Sequence, residues 1–217
     1  MGEILNLDFS KTNDRYLSSC CSDGKFMIHD RQKEWENVFK YSCSDRISKT
    51  AFSYLKNNLV SCGSLSGELR LFDFEAQKLN RMFLEHIDEI TGIKFSQIND
   101  SLLISAGMDK RLNFYDTKQC KVIKNWTYDE PITSLDFYHD GLQIIYSTIK
   151  GTINMIDLRK CNTPIMTLKG QEGKRVKSTT FGCKYKKRDE NTTQELTEVE
   201  ENMRVDREIN SNDVNNY

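Results

Sequence analysis

No run of about 18 apolar residues occurs in the 217-residue chain, so a membrane-spanning helix is not expected. The opening MGEILNLDF has neither a basic segment nor a long apolar one, and a secretion leader is not expected either. Excess charge is missing as well: the formal net charge is -1 with 29% charged residues, which argues against nucleic acid or a membrane surface as a partner. The seven cysteines are odd in number, scattered and without a C-x-x-C pair. They read as buried free thiols in a reducing compartment, not as zinc ligands or disulfides. A glycine-rich phosphate loop and metal-ligand spacing are both lacking. The three histidines, His29, His86 and His139, fall in different stretches with no serine or cysteine elbow beside them. The expectation is a soluble cytoplasmic protein, not an enzyme, with no catalytic, metal or cofactor site.

What is present is a repeat. Phe9, Phe52, Phe95, Phe137 and Phe181 stand 43, 43, 42 and 44 residues apart, and Asp30, Asp73, Asp116 and Asp157 stand 43, 43 and 41 apart. A period of about 40 to 45 residues with strands closing on an aspartate is the signature of WD40 propeller blades. The fold expected is all-β: a partial WD40 β-propeller of four blade repeats plus the first strand of a fifth. The units are 1–43, 44–86, 87–129 and 130–172, with the fifth beginning at 173–183. Propellers close with about four to eight blades. Four blades of WD40 geometry leave a gap, so these residues read as the later part of a ring, completed by missing sequence, by another chain or by self-association.

Each unit opens with an apolar strand ending in phenylalanine, at Ile4–Phe9, Ile47–Phe52, Ile90–Phe95, Ile132–Phe137 and Val176–Phe181. Alternation near its end places one face in a core. The second strand runs from large to small residues, as in LVSCGS from Leu59 and LLISAG from Leu102, which suggests that it lies nearest the crowded axis. Two-residue turns follow at Asp23-Gly24, Ser66-Gly67, Asp109-Lys110 and Lys150-Gly151. The third strand alternates and ends in x-Asp, without the family's tryptophan. A weaker outer strand finishes each unit. Trp35 and Trp126 fall there and are expected to pack between blades. From Lys184 to Tyr217 nine acidic residues meet six basic ones and few apolar ones, which reads as a disordered polar tail. Its basic cluster, Lys184, Lys186, Lys187 and Arg188, reads as part of a solvated linker.

In WD40 blades a histidine ahead of the first strand, a serine in the second, the turn aspartate and a third-strand aromatic form a buried hydrogen-bond chain. The resemblance implies that His86, Ser105, Asp109 and Tyr115 form it here. Such a network rigidifies a blade. Turns between second and third strands gather on one face, so Lys25, Glu68, Lys110, Arg111 and Lys150 are placed there. Lys25, Lys110, Arg111, Lys150 and Arg159 are the candidate partner-binding residues.

The runs GMDKRLNFYDT, DEPITSLDFYHDG and KGTINMIDLR, between Gly107 and Arg159, resemble the later blades of the WD-repeat targeting subunit of the γ-tubulin ring complex. A looser likeness extends from Ile4 to Phe181. In that family the propeller directs the complex to centrosomes, basal bodies and spindle, and a C-terminal helical region binds the γ-tubulin complex. The resemblance implies a non-enzymatic adaptor for microtubule nucleation, with the γ-tubulin ring complex or centrosomal and microtubule-associated proteins as partners. The tail after Phe181 shows no long amphipathic helix, so targeting carries over and direct γ-tubulin contact does not. A competing expectation is a substrate receptor of a cullin-RING ubiquitin ligase, because Ile156-Asp157-Leu158-Arg159 resembles the W-D-x-R ending used to dock its adaptor. Ile156 replaces the tryptophan, and Lys150 stands where an acidic residue is usual. A generic WD40 interaction scaffold is the third reading.

Overall fold

The computed structural model describes residues 2–138, 140–160, 163–170, 179–181 and 203–205. Apolar alternation turns into strands at the expected places. Blade 1 holds β1 (Ile4–Phe9), β2 (Tyr16–Cys21), β3 (Lys25–Asp30) and β4 (Glu36–Ser42). Blade 2 holds β5 (Ile47–Phe52), β6 (Leu59–Ser64), β7 (Leu69–Asp73) and β8 (Lys78–Phe83). Blade 3 holds β9 (Ile90–Phe95), β10 (Leu102–Gly107), β11 (Arg111–Asp116) and β12 (Lys121–Thr127). Blade 4 holds β13 (Ile132–Phe137), β14 (Gln143–Thr148), β15 (Thr152–Asp157) and β16 (Met166–Lys169). Each blade is one antiparallel four-stranded sheet with its strands in chain order. A short pair, β17 (Thr179–Phe181) and β18 (Met203–Val205), follows. The expected strand start at Val176, the Lys184 to Arg188 cluster, the rest of the tail apart from Met203–Val205, and His139, Cys161 and Cys183 lie outside the described residues.

The sheets meet through their first strands, β1 on β5, β5 on β9, β9 on β13 and β13 on β17. The first strand, not the second, is therefore the one nearest the axis. Small residues in the second strand have another cause: it is flanked by strands on both edges and covered on both faces, so that every residue of β6 is buried. Cys62 and Ser105 are both 0% exposed there, in close-packed surroundings that favour small side chains.

The isoleucine and phenylalanine of β5, β9 and β13 insert into the preceding blade. Ile47 and Phe52 join Phe26 and Ile28, Ile90 and Phe95 join Leu69 and Leu71, and Ile132 and Phe137 join Leu112 and Phe114. Burial of each such side chain contributes roughly 1.5–3 kcal/mol, which makes the joint between blades the main apolar store of the fold. On the outer strands most residues are exposed, with one aromatic turned in: Phe83 on β8 and Trp126 on β12, the latter edge-on to Phe114 at 4.6 Å. Trp35 departs from expectation. It lies in the turn before β4 with φ 65°, is half exposed, and its ring meets Phe9 edge-on at 6.5 Å.

The recurring aspartates reverse the chain. Asp30 accepts the Gln32 N–H (2.9 Å), Asp73 that of Ala76 (3.0 Å), Asp116 that of Lys118 (2.8 Å) and Asp157 that of Arg159 (2.9 Å). A short carboxylate that caps its own backbone two or three residues on is the means by which the third strand turns into the fourth.

Candidate functional site

The β2–β3 type of hairpin turn and the link into the next blade share one end of every sheet, here termed the upper face. Turns after the first and third strands share the lower face. In blades 1, 2 and 4 the upper turn closes on a left-handed glycine, Gly24, Gly67 or Gly151. At Gly67 an added Cβ would lie 2.5 Å from the His86 carbonyl oxygen, so both φ and space require glycine. Blade 3 puts Lys110 at this position with φ 69° and accepts the strain of a side chain there.

Beneath that turn the structure brings His86, Ser105, Asp109 and Tyr115 together. His86 Nδ1 lies 2.9 Å from each Asp109 oxygen, His86 Nε2 lies 2.7 Å from Ser105 Oγ, and Ser105 Oγ lies 3.1 Å from Tyr115 Oη. One assignment gives every proton an acceptor: Tyr115 donates to Ser105, Ser105 to His86 Nε2, and His86 Nδ1 to Asp109. Asp109 also accepts the backbone N–H groups of Ile87 and Arg111, each at 3.1 Å. Burial alone raises a carboxyl pKa, but the hydrogen bond from His86, with the two backbone donors, holds Asp109 below its ordinary value. Burial pushes the Tyr115 phenol up.

Serine, histidine and aspartate in this order have the distances of a nucleophile with its base and orienting acid. Ser105 and Tyr115 are both 0% exposed, however, and the serine's second neighbour is another hydroxyl where a substrate carbonyl would need space. The geometry serves to lock the β8–β9 link onto the β10–β11 turn. Blade 2 has no such lock, because 43 residues earlier the same places hold Cys43, Cys62, Ser66 and Phe72. Blade 1 keeps only a fragment, Ser19 Oγ at 3.3 Å from His29 Nε2.

Of the candidate surface residues, the upper face carries Lys25, Lys110, Arg111 and Lys150, and Arg159 is on the lower face. Lys25 pairs with Asp23 at 2.6 Å and Lys150 with Glu130 at 2.9 Å. Arg111 donates to the Glu85 carbonyl at 2.7 Å and lies 3.8 Å from Asp109. Lys110 is exposed at the tip of its turn, and Ile87, whose N–H bonds to the Asp109 carboxylate, is exposed on the link beside that turn. Glu68 is paired with Arg70. Arg159 folds back on its own blade, 3.0 and 2.7 Å from the two Asp157 oxygens, and holds that carboxyl down to about 2. The upper face is therefore a field of locally paired charges with Lys110 and Ile87 projecting from its rigid blade.

Two sets of residues carry the joints between blades and were not singled out from sequence. The hydroxyls of Ser48 and Thr91 donate to the carbonyls of Ile90 and Ile132, both at 2.7 Å, each tying a first strand to the next. Asn6 and Asp8 accept the N–H groups of Thr50 (3.2 Å) and Phe52 (2.8 Å). A hydroxyl recurring beside the strand isoleucine was the available signal for the first set. At the axis the four first strands line a cavity of about 160 Å³ that includes Asn6, Asp8, Lys49, Lys94 and Ser134. Lys94 is tied to Asp136 at 3.0 Å across the joint between blades 3 and 4. Among the described residues no group of three or more His, Cys, Asp or Glu side chains suited to a metal ion occurs, and no helix is long and apolar enough to cross a membrane.

No protein-family model matches the chain. It is 29% identical over 158 residues to Protein NEDD1 of Homo sapiens, covering 72% of this chain and 24% of that protein. The Bos taurus NEDD1 is 30% identical over 147 residues, covering 67% and 22% respectively. The guanine nucleotide-binding protein subunit beta of Saccharomyces cerevisiae is 21% identical over 141 residues, covering 56% and 33%. The aligned residues span less than a quarter of the length of the NEDD1 relatives. Four antiparallel four-stranded blades, the repeating aspartate turns and these similarities identify the chain as a member of the WD40-repeat family.

Proposed function

We propose that the chain is the blade-bearing part of a non-enzymatic adaptor that targets the γ-tubulin ring complex to microtubule-organising centres and the spindle. The observation that carries this reading is the likeness to NEDD1, together with the resemblance of the Gly107 to Arg159 runs to the targeting subunit's later blades. The upper face of blade 3 is the docking platform. There the Lys110 charge stands on a turn, and the Ile87 side chain on a link, that four buried side chains hold together, so a partner finds the surface already ordered. The adaptor acts in the cytoplasm, at the centrosome or basal body and along spindle microtubules, through protein contacts. Expression of the fluorescently tagged chain in dividing cells tests the reading: the proposal requires enrichment at spindle poles, weakened by Lys110→Glu with Ile87→Asp. Uniform cytoplasmic signal at matched expression would remove its support.

A further inference from the structure

Blade 2 buries a guanidinium where blade 3 has its tetrad. Arg70 on β7 pairs across the sheet with Cys62 on β6, as Asn113 pairs with Ser105 in blade 3. Directly opposite residues of an antiparallel pair share one face, so the guanidinium enters the joint between blades 1 and 2 that Cys62 helps to fill. Arg70 is only 5% exposed. Its Nη2 is paired with Glu68 and its head lies 5.7 Å from the Tyr41 ring centre, but Nε and Nη1 are buried without a hydrogen-bond partner among the described residues. Two buried donors left open on a charged group are costly, and they mark a place for an oxyanion.

Cys43 can supply that oxyanion. It stands in the β4–β5 link where blade 3 has His86, packs against the same apolar cluster as Tyr41, and is partly exposed. The charge of Arg70 acts on Cys62, Glu68, Cys43 and Tyr41. We propose that Cys43 is a site of reversible oxidation by hydroperoxides, and that the product, a sulfenate, is held by Nε and Nη1 of Arg70. The Cys43 sulfur attacks one peroxide oxygen, the O–O bond breaks as the S–O bond forms, and the thiol proton leaves on the other oxygen as water or an alcohol. The thiol is oxidised and the peroxide reduced. The sulfenic acid so formed gives its proton to water, and the anion stays beside the guanidinium. In the reduced chain Cys43 Sγ donates to the Asp45 carbonyl at 2.9 Å and lies 3.5 Å from that of Gly24. Those carbonyls repel an added oxygen and so turn it toward Arg70. Cys62, although directly opposite Arg70, is 0% exposed and out of a peroxide's reach. Oxidised blade 2 gains an ionic tie between its leading link and its third strand, as His86 and Asp109 tie the link and hairpin turn of blade 3.

Cys120, also partly exposed, sits in the β11–β12 turn, where its Sγ donates to the Thr117 carbonyl at 3.6 Å, and serves as the internal control. The full chain is pulsed with hydrogen peroxide, unfolded into a dimedone-type probe and mapped by mass spectrometry. Sulfenate at Cys43 is expected at about tenfold the level at Cys120, the worth of one charge-assisted hydrogen bond, and should fall to the Cys120 level in Arg70→Met. The oxidised chain should also melt about 3 °C above the reduced one, a gain absent in Cys43→Ser. Equal labelling of Cys43 and Cys120 in the unmodified chain overturns the inference without any variant. So does Cys43 oxidation that is unchanged in Arg70→Met, or loss of both thiols to a disulfide between Cys43 and Cys62. Alkylation of Cys43 in reduced Arg70→Met, at the rate of the unmodified chain, shows that the variant is folded and the thiol still open. Where that check fails, the melting shift of the unmodified chain decides, and an absent or negative shift overturns the inference. These readouts concern the joint between blades 1 and 2 and stand apart from where the chain localises.

Discussion

His86 Nδ1 lies 2.9 Å from each carboxylate oxygen of Asp109, across 23 residues of sequence, and both side chains are fully buried. This contact ties the link entering blade 3 to the hairpin turn of the same blade. Removing the imidazole leaves a buried carboxylate with only backbone donors. His86→Ala is expected to cost about 3 kcal/mol in urea unfolding, and Tyr115→Phe, which deletes one terminal hydroxyl, about 1 kcal/mol. A double-mutant cycle of His86 and Asp109 should show strong coupling. Additive losses would mean that the two side chains act separately.

The same carboxylate sets an acid dependence. The pKa of Asp109 is lowered in the folded chain, so its contribution is complete above the ordinary aspartate value of about 3.9 and is lost as pH falls through the lower folded value. Asp109→Asn should flatten that part of the stability profile below about pH 4. An unchanged acid limb in the variant would assign the dependence to other carboxylates.

Arg159 provides a second, exposed case. With the guanidinium removed in Arg159→Ala, the Asp157 carboxyl should titrate above its value of about 2 in a carbon-detected NMR titration, moving toward the ordinary aspartate range but held short of it by the backbone N–H of residue 159. No movement of the Asp157 resonance midpoint would show that the clamp does not persist in solution.

Turn chemistry predicts opposite signs at one repeat position. Lys110→Gly relieves a left-handed side chain and should stabilise by roughly 0.5–1 kcal/mol. Gly67→Ala meets both a φ of 90° and the His86 carbonyl at 2.5 Å, and should destabilise by more than that. Calorimetry of the two variants decides it, and a shared sign would refute the argument.

Thiol reactivity should follow burial. Burial pushes Cys20 up to about 12 and Cys62 further still, and both are 0% exposed. Among the described cysteines, alkylation of the native chain at neutral pH should modify the partly exposed Cys43 and Cys120 first, with Cys20 and Cys62 reacting only after unfolding. Rapid native labelling of Cys62 would show that the joint between blades 1 and 2 opens readily.

Much of this architecture was legible because it is local and periodic. The starts of β1, β5, β9 and β13 follow from isoleucine spacing, and the ends of the third strands follow from aspartates that cap their own backbones. The tetrad was implied by the resemblance to WD40 blades, which could point to these residues because all four belong to one blade and its leading link. What lay beyond reach depends on how separate blades face one another. The axial place of the first strand, the Ser48 and Thr91 bridges and the lining of the axial cavity are set by packing between sheets, which no period within a single unit encodes. Trp35 was misplaced for a related reason: the 3-10 turn Arg31–Lys33 ends on left-handed Glu34 and Trp35, which delays β4 until Glu36. The pairing of Arg159 with the carboxylate two residues before it was likewise not read from the sequence.

The central claim is best tested by affinity purification of the tagged chain from dividing cells of its source, with quantitative mass spectrometry, compared with the Lys110→Glu, Ile87→Asp variant. Targeting of the γ-tubulin ring complex predicts that its subunits are enriched with the unmodified chain and depleted with the variant, although both fold. Enrichment of cullin-RING adaptor subunits without any γ-tubulin complex component, lost on Arg159→Ala, would contradict it and favour the ligase-receptor reading.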